Sequence, residues 1–304
     1  MGASTFFKRI LSSPLRSYSK GKILQKVENS VQENRDVINV HRMDPDNIGD
    51  MFSAPHHYFE PLKNKALDIY DYKSLDNKIT ENWIQKISQN SLIIGGGGLL
   101  NRPSFERQMM LFQKLTENGK KTVLWGVGHN SKFRATFGKI SGYNINENKF
   151  GLSGTRDYSL AKNWVPCVSC LHPSLENKFT ADQETGIVFH KNTFKKNKLT
   201  SRFKDYPVTS NTSNIEELIK FIGRSEHLIT DSYHAMYWGI LLEKKVLLIP
   251  NTSKFFDFKY NPVFTTFENC INDLKKSQAY SGVLEECREI NREFAGKVFN
   301  YLNL

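Results

Sequence analysis

Short apolar runs alternate with stretches of helical periodicity along most of this 304-residue chain, and this alternation restricts the possible folds. Runs typical of buried strands occupy residues 37–40, 91–94 and 122–125. Between the last two, apolar side chains recur at helical spacing at Phe105, Met109, Leu111, Phe112 and Leu115. Strands that alternate with helices build βα units, so the sequence predicts an α/β protein with parallel sheets.

The same alternation begins again in the second half of the chain. Further strands are predicted at 186–189, 227–230 and 245–249, and helices follow Asn214 and span 233–242. Residues 163–185 are polar, contain two prolines and lack helical periodicity, which is typical of a linker. We therefore predict two Rossmann-like lobes with a cleft between them. The predicted parts are a basic arm (1–36), an N-terminal lobe (37–162), a linker (163–185) and a C-terminal lobe with C-terminal helices (186–304).

The positive charge of the chain is concentrated in two strips. The formal net charge is +11; residues 1–27 hold six basic residues and no acid, and residues 190–204 hold six more, again without an acid. Because the remainder is close to neutral, a protein that is basic throughout, such as a histone, is excluded. Two strips on a neutral body favour an anionic membrane surface or a phosphorylated substrate. Nucleic acid is not expected, because zinc-finger spacings and aromatic RNA-reading motifs are absent.

The first strip has the pattern of a short amphipathic helix. Phe6 and Phe7 precede Ile10 and Leu11 by four residues each, and Pro14 ends the run. Two interpretations are open: a terminal segment of its own domain, or a peripheral membrane contact through residues 1–27. No apolar run approaches the roughly 20 residues that cross a bilayer. The predicted location is the cytoplasm, with contact at the inner membrane face under the second interpretation.

Four cysteines in a chain of this length do not form a disulfide scaffold, which favours a reducing compartment. Cys167 and Cys170 have the C-x-x-C spacing of a zinc or redox site, but no second pair at matching spacing accompanies them. We expect buried structural thiols, no metal site and no cofactor.

Polar or glycine-rich segments follow most predicted strands, where ligands bind in open parallel sheets. The segment Asn47-Ile-Gly-Asp50 is either part of a binding site or an ordinary turn, in which Asp50 caps a helix and Gly49 has a positive φ. Four consecutive glycines at 95–98 would let backbone N–H groups approach an anion, with Gly96, Gly97 and Gly98 as candidates. This run matches neither the dinucleotide-binding pattern nor the Walker pattern.

Two later segments carry charged or titratable candidates. Ser153-Gly-Thr-Arg-Asp157 is predicted to open a helix, where Arg156 would hold a carboxylate or phosphate bidentately. The alternative is an exposed arginine paired with Asp157 or with a nearby acid. Thr230-Asp-Ser-Tyr-His234 lies at a strand-to-helix junction, with Asp231 or Ser232 expected to cap the helix. His234, in the first turn, is a candidate for proton transfer, although a lone histidine there is more often structural.

Five segments, taken in order, resemble the polysaccharide pyruvyl transferase family. They are Asn47-Ile-Gly-Asp50, Leu92-Ile-Ile-Gly-Gly-Gly-Gly-Leu-Leu100, Trp125-Gly-Val-Gly128, Ser153-Gly-Thr-Arg-Asp157 and Ile229-Thr-Asp-Ser-Tyr-His234. The resemblance implies a two-lobed fold similar to that of the GT-B glycosyltransferases. It also implies transfer of pyruvate from phosphoenolpyruvate, as co-substrate, onto a sugar of a capsule polysaccharide or exopolysaccharide, giving a ketal. The acceptor would be a glycan or a lipid-linked glycan.

The resemblance also implies roles for individual residues. Arg156 would hold the donor and His234 would be the general acid, with Asp231 as a third catalytic residue. The residues implied to line the substrate site are Asn47, Gly49, Asp50, Gly96, Gly97, Gly98, His190, Lys191, Ser232 and Tyr233.

The chain departs from the family at Ser232, where characterised pyruvyl transferases typically have arginine. Lys191, beside His190 at a strand end, is the candidate for the missing charge. The departure leaves open a GT-B-type glycosyltransferase that uses a nucleotide-sugar in the same cleft. A non-catalytic glycan-binding module is a third alternative, but it would not need clustered glycines facing an arginine and a histidine.

Overall fold

The computed structural model describes residues 20–304, which contain two parallel sheets. The strands of the first sheet are β1 (Val37–His41), β2 (Ala66–Asp68), β3 (Ser91–Ile94), β4 (Gly97–Leu100), β5 (Thr122–His129) and β6 (Leu152–Thr155). Their order is β2-β1-β3-β5-β6, and β4 continues β3 along the same edge of β5. The apolar runs predicted at 37–40, 91–94 and 122–125 are thus confirmed as the three central strands.

The second sheet has the same winding. Its strands are β7 (Gln183–Phe189), β8 (Val208–Ser210), β9 (Ser225–Thr230), β10 (Lys245–Leu248) and β11 (Val263–Phe264). They pair in the order β8-β7-β9-β10-β11, all parallel. In each sheet the second strand lies on one side of the first strand and the third strand lies on the other side. The strand order therefore reverses at the first strand, which is the doubly wound arrangement of Rossmann-like lobes. The fold is α/β and GT-B-like, as predicted.

Helices cover the sheets. The chain is helical over residues 20–28 (α1). The following helices are α2 (Ile48–Met51), α3 (Asn77–Gln89), α4 (Pro103–Glu117), α5 (Lys191–Phe194), α6 (Asn197–Thr200), α7 (Ile215–Gly223), α8 (Tyr233–Leu241) and α9 (Val283–Leu302). Asn214 caps α7 as predicted, because its side-chain oxygen accepts hydrogen bonds from the backbone N–H groups of Glu216 and Glu217.

The C-terminal helix α9 packs against both lobes. Near its start, Val283 and Cys287 join the core that contains α8. Near its end, Phe294 and Val298 cover Trp125 and other buried residues of the first sheet. In the middle, Asn291 accepts a hydrogen bond from the indole nitrogen of Trp125 at 3.0 Å. One helix therefore joins the cores of the two lobes.

The helix predicted to begin at Ser153 is wrong, because this segment is strand β6. Leu152, Ser153 and Gly154 pair with β5, and a Cβ atom on Gly154 would lie 2.4 Å from a methyl group of Val165. The glycine marks close packing between the strand and the following chain. Arg156 consequently stands at the carboxyl end of a strand, without a helix dipole behind it.

The amphipathic helix predicted around Phe6–Leu11 lies outside the described residues, so the membrane contact stays a prediction. Within residues 20–304, every helix is too short or too polar to span a bilayer.

Candidate active site

A cavity of about 430 Å³ lies where the carboxyl ends of strands from both sheets meet. From the first lobe it is lined by Asp44, Asn47, Asp50, Gly98, Arg102, Asn130, Lys132 and Arg156. From the second lobe it is lined by His190, Lys191, Asn192, Thr193, Lys196, His234, Asn251, Thr252 and Lys254. This is where doubly wound folds bind ligands. A larger groove of about 800 Å³, between α1 and α4, contains none of the candidate residues.

The backbone of helix α2 packs against the imidazole of His234, which belongs to the other lobe. A Cβ atom on Gly49 would lie 2.0 Å from Nδ1 of His234, so only glycine fits at this contact. The predicted positive φ of Gly49 is wrong, because its φ lies outside the left-handed region. The predicted cap is also wrong: Asn47 precedes the helix, and Asp50 lies inside it.

Hydrogen bonds hold α2 between the lobes. The Asn47 side chain donates to a carboxylate oxygen of Asp50 at 2.7 Å and accepts from the amide of Asn211 at 2.8 Å. The backbone N–H of Ile48 donates to the carbonyl of Asn211 at 3.0 Å. Burial raises the pKa of Asp50, and the nearby ammonium of Lys254 opposes this shift. Asp50 is therefore a carboxyl group that retains its proton more readily than a surface aspartate.

Close packing around the glycines at 95–98 explains why these positions carry no side chain. A Cβ atom on Gly95 would lie 2.0 Å from the carbonyl oxygen of Trp125, and one on Gly96 would lie 2.1 Å from that of Ser53. Gly97 has a φ of +89°, which disfavours any side chain. Gly96, Gly97 and Gly98 do line a second cavity of about 240 Å³, which shares Asp50 and Arg102 with the first.

Arg156 is the most deeply buried cation of the cavity. Its side chain is 2% exposed, and its guanidinium carbon lies 4.0 Å from the ring centre of Tyr233. The predicted alternative, an exposed arginine paired with Asp157, does not hold, since Arg156 forms no ion pair within residues 20–304 and its Nε and Nη1 have no hydrogen-bond partner there. Burying a guanidinium whose N–H donors have no partner costs free energy, unless a bound anion accepts hydrogen bonds from them.

His234 is 5% exposed, and its Nε2 has no hydrogen-bond partner in the described chain. Burial lowers the pKa of His234 well below its ordinary value, and the charges of Arg156 and Lys254 lower it further. The imidazole is therefore neutral at neutral pH. It retains a ring nitrogen that is available to a ligand.

Asp231 is placed behind the cavity lining. It accepts hydrogen bonds from the backbone N–H of His190 at 2.6 Å and from the hydroxyl of Thr193 at 2.5 Å. Its carboxylate thus fixes the turn after β7, which fits a positioning role better than direct contact with substrate. Ser232 stands at the N-cap position of α8 without a side-chain capping bond, and Tyr233 contributes the ring beneath Arg156.

His190 and Lys191 both reach the cavity. The Nζ of Lys191 lies 2.8 Å from a carboxylate oxygen of Asp44, so its charge is already paired. Burial and, to a smaller extent, the ammonium groups of Lys254 and Lys191 lower the pKa of His190 to about 4. His190 is neutral as well, and its Nδ1 accepts the backbone N–H of Asn192.

The cavity as a whole is built for an anion. Six basic side chains line it (Arg102, Lys132, Arg156, Lys191, Lys196 and Lys254), against the two carboxylates of Asp44 and Asp50. Ten buried side-chain N and O atoms of the described chain lack a partner, and half of them belong to residues of this cavity. Buried polar groups are normally satisfied, so such a concentration indicates a ligand site.

Sequence reasoning missed several lining residues, among them Asn130, Thr252 and Lys254. They follow β5 and β10, whose carboxyl ends face the cavity. The signal that would have found them is their position just after a predicted strand, since no motif contains them.

The thiols of the described chain and one possible metal group lie outside the lining of the cavity. Cys167 and Cys170 are free and buried, as predicted, and burial raises the pKa of both. Within residues 20–304, His129, Asp157 and Asp257 form a group whose ligand atoms lie within 4.8 Å of one another. Nδ1 of His129 already bonds the hydroxyl of Ser253 at 2.8 Å, and Asp257 accepts two bonds from Ser159.

Ligands of doubly wound folds bind at the switch points of the sheets, and the cationic cavity lies there. The sequence profile of the polysaccharide pyruvyl transferase family matches residues 34–253. The chain therefore belongs to this family and is a transferase. No curated protein matches the sequence.

Proposed function

We propose that the protein transfers pyruvate from phosphoenolpyruvate onto two hydroxyls of one sugar in a surface polysaccharide, forming a cyclic ketal. The observation that carries this proposal is the buried guanidinium of Arg156, which has free donors and shares a cavity with His234. The acceptor is a glycan or lipid-linked glycan, and the reaction takes place in the cytoplasm, in keeping with the four unpaired cysteines.

The donor suits the charge of the cavity. Phosphoenolpyruvate carries a carboxylate and a phosphate on the same carbon, C2, so it needs two cationic contacts close together. Arg156 offers a planar fork for one of these groups. At about 430 Å³, the cavity exceeds the needs of a three-carbon donor, which leaves space for a sugar ring next to Asp50.

The chemistry requires one proton at the donor methylene and the removal of two from the acceptor. Protonation of C3 converts the methylene to a methyl group and makes C2 electrophilic. The first sugar hydroxyl adds to C2 and loses its proton, and the bond from C2 to the phosphate oxygen then breaks. The second hydroxyl adds to C2 and loses its proton, so the products are the ketal and inorganic phosphate. Cationic groups stabilise the departing phosphate.

His234 is the proposed proton carrier. It is neutral at neutral pH because burial lowers its pKa well below the ordinary value and the surrounding cations lower it further. An anionic donor reverses that field, so His234 takes up a proton as the donor binds and can deliver it to C3. Asp50, whose pKa is raised by burial, is the nearby carboxyl group that assists at the acceptor side.

A glycosyltransferase is the second candidate, because Ser232 stands where the family typically has arginine and a diphosphate would also suit six basic side chains. The two functions are separated by measuring phosphate release from phosphoenolpyruvate with a panel of glycan acceptors. Thermal melts are recorded in parallel with phosphoenolpyruvate and with nucleotide-sugars, because a bound donor raises the melting temperature. Phosphate release and protection by phosphoenolpyruvate are expected. Protection by a nucleotide-sugar alone, with no phosphate release, would overturn the proposal.

A further inference from the structure

Two exposed phenylalanines flank the opening of the cavity, one on each lobe. Phe133 follows β5 and is 70% exposed, and Phe194 is the last residue of α5 and is 44% exposed. Phe133 adjoins Lys132, and Phe194 lies two residues before Lys196; both lysines line the cavity and are exposed, so they mark its opening. Single exposed apolar side chains are common, but two beside the opening of one site indicate a contact surface.

The charged side chains around these two rings are all basic. From the first lobe and then from the second, they are Lys132, Arg134, Lys195, Lys196 and Lys198. All five are exposed, and within residues 20–304 none of their side chains forms an ion pair or a hydrogen bond. Residues 118–146 and 190–204 contain no acid, so along these segments both lobes present only positive charge.

We propose that this surface, formed by residues 132–134 and 194–198 and here called the rim surface, docks on an anionic lipid bilayer with the opening of the cavity towards the headgroups. Anionic headgroups attract the five cations, and the two rings gain free energy on entering the boundary between headgroups and acyl chains. An acidic polymer in solution would pair with the cations but would leave the rings in water. The rim surface is separate from residues 1–27, for which the sequence predicts a membrane contact of its own.

Docking in this orientation suits a lipid-linked acceptor. The glycan of such an acceptor begins at the level of the headgroups, so a cavity that opens towards them receives the sugar while its lipid stays in the bilayer. This consequence rests on the proposed function, whereas docking itself depends only on the charges and rings of the rim surface.

The test is flotation of the full chain with phosphatidylcholine vesicles that contain or lack phosphatidylglycerol, without donor or acceptor. The wild type should bind the anionic vesicles and should be released by high salt, which screens exposed charges. The charge variant combines Lys195→Gln, Lys196→Gln and Lys198→Gln, and the ring variant combines Phe133→Ser and Phe194→Ser. We expect the charge variant to bind about a hundredfold less tightly, since each lysine at an anionic surface contributes about fivefold. The ring variant, whose charge is unchanged, should lose about tenfold or more.

A matched control separates the rim surface from net charge. It combines Lys162→Gln, Lys178→Gln and Lys297→Gln, which remove the same charge from exposed lysines that are outside the cavity and have no partner in the described chain. This control should bind like the wild type. Equal losses in the control and the charge variant would overturn the assignment, and so would wild-type binding by the charge and ring variants. Binding to an acidic polysaccharide but not to anionic vesicles would overturn it as well.

Quenching of tryptophan fluorescence by brominated lipids locates the contact even if the multiple variants fail to fold. Phe194→Trp puts an indole on the rim surface, and Leu304→Trp puts one just after α9 at a position of similar exposure, 42%. Leu304 is at the opposite end of the first sheet, because the carbonyl of Tyr301 accepts a hydrogen bond from the ammonium of Lys121, just before β5. The indole at 194 should be quenched on anionic vesicles and the indole at 304 should not. Quenching of neither, or of both equally, would overturn the assignment. The assay contains no donor, so that outcome leaves the proposed function intact.

Discussion

The backbone of Gly49 lies directly against the imidazole of His234. A Cβ atom added at position 49 would be 2.0 Å from Nδ1 and 2.4 Å from Cγ of that ring. These two residues belong to different lobes and are 185 positions apart, yet each fixes the position of the other. The absence of a side chain at residue 49 thus sets where a candidate proton carrier stands.

Gly49→Ala should displace His234 and lower kcat/KM by about a hundredfold, since a shift of about 1 Å in a reacting group has effects of that size. The backbone angles of Gly49 suit alanine, so the loss would come from the imidazole rather than from strain in α2. Steady-state kinetics measure the effect. Gly296→Ala is the matched control, because this exposed position in α9 has nothing within 4 Å of the added atom. Full activity in Gly49→Ala would show that His234 needs no fixed position.

Replacing Arg156 should weaken donor binding strongly without unfolding the protein. Arg156→Lys keeps the charge but loses the planar fork, and Arg156→Ala loses both; we expect losses in kcat/KM of about 10²-fold or more in each case. Since Nε and Nη1 have no partner in the described chain, the melting temperature without donor should stay level or rise. Near wild-type kinetics in Arg156→Lys would mean that the fork is not used.

Donor binding near pH 7 should be accompanied by proton uptake. The pKa of His234 is held well below its ordinary value by burial and by the cations of the cavity, and a bound anion raises it again. Calorimetry in buffers of different ionisation enthalpy counts the protons. His234→Gln should bind the donor with less uptake, and identical counts in the two proteins would refute the proposed role of His234.

Asp157 should make stability depend on pH. Burial raises the pKa of its carboxyl to about 7, so the folded state holds a proton that the unfolded chain releases near pH 4. This contribution is complete at low pH and is lost as the pH rises towards 7. In urea unfolding at pH 5 to 8, Asp157→Asn should therefore gain stability relative to the wild type as pH increases. The exposed control Asp205→Asn should show a constant difference.

The central strands could be predicted because they are continuous apolar runs buried on both faces. The edge strands could not: β2, β8 and β11 have only two or three residues each, and their pairing depends on neighbours far away in sequence. The local pattern at Ser153 predicts a helix start, because nothing local shows that Gly154 must accommodate Val165. In such places, tertiary contacts override the local pattern.

The candidate site was predictable where a motif adjoins a strand, as with Arg156 and His234. Lys254 was not, since a lysine four residues after Pro250 has no local signature. The role expected of Lys191 also depended on information the sequence lacks, namely that Asp44, 147 positions away, pairs with it. Charge pairing is decided by the three-dimensional arrangement, and composition alone does not reveal which cations are free.

The shared helix α9 has a practical consequence for recombining such enzymes. A chimera that joined the first lobe of this chain to the second lobe of a relative would inherit α9 from only one parent. Its early residues, such as Cys287, must suit the second core, and its later residues, such as Phe294, must suit the first. A productive crossover would therefore return to the first parent inside α9, close to Asn291, so that each half of the helix meets the lobe with which it evolved.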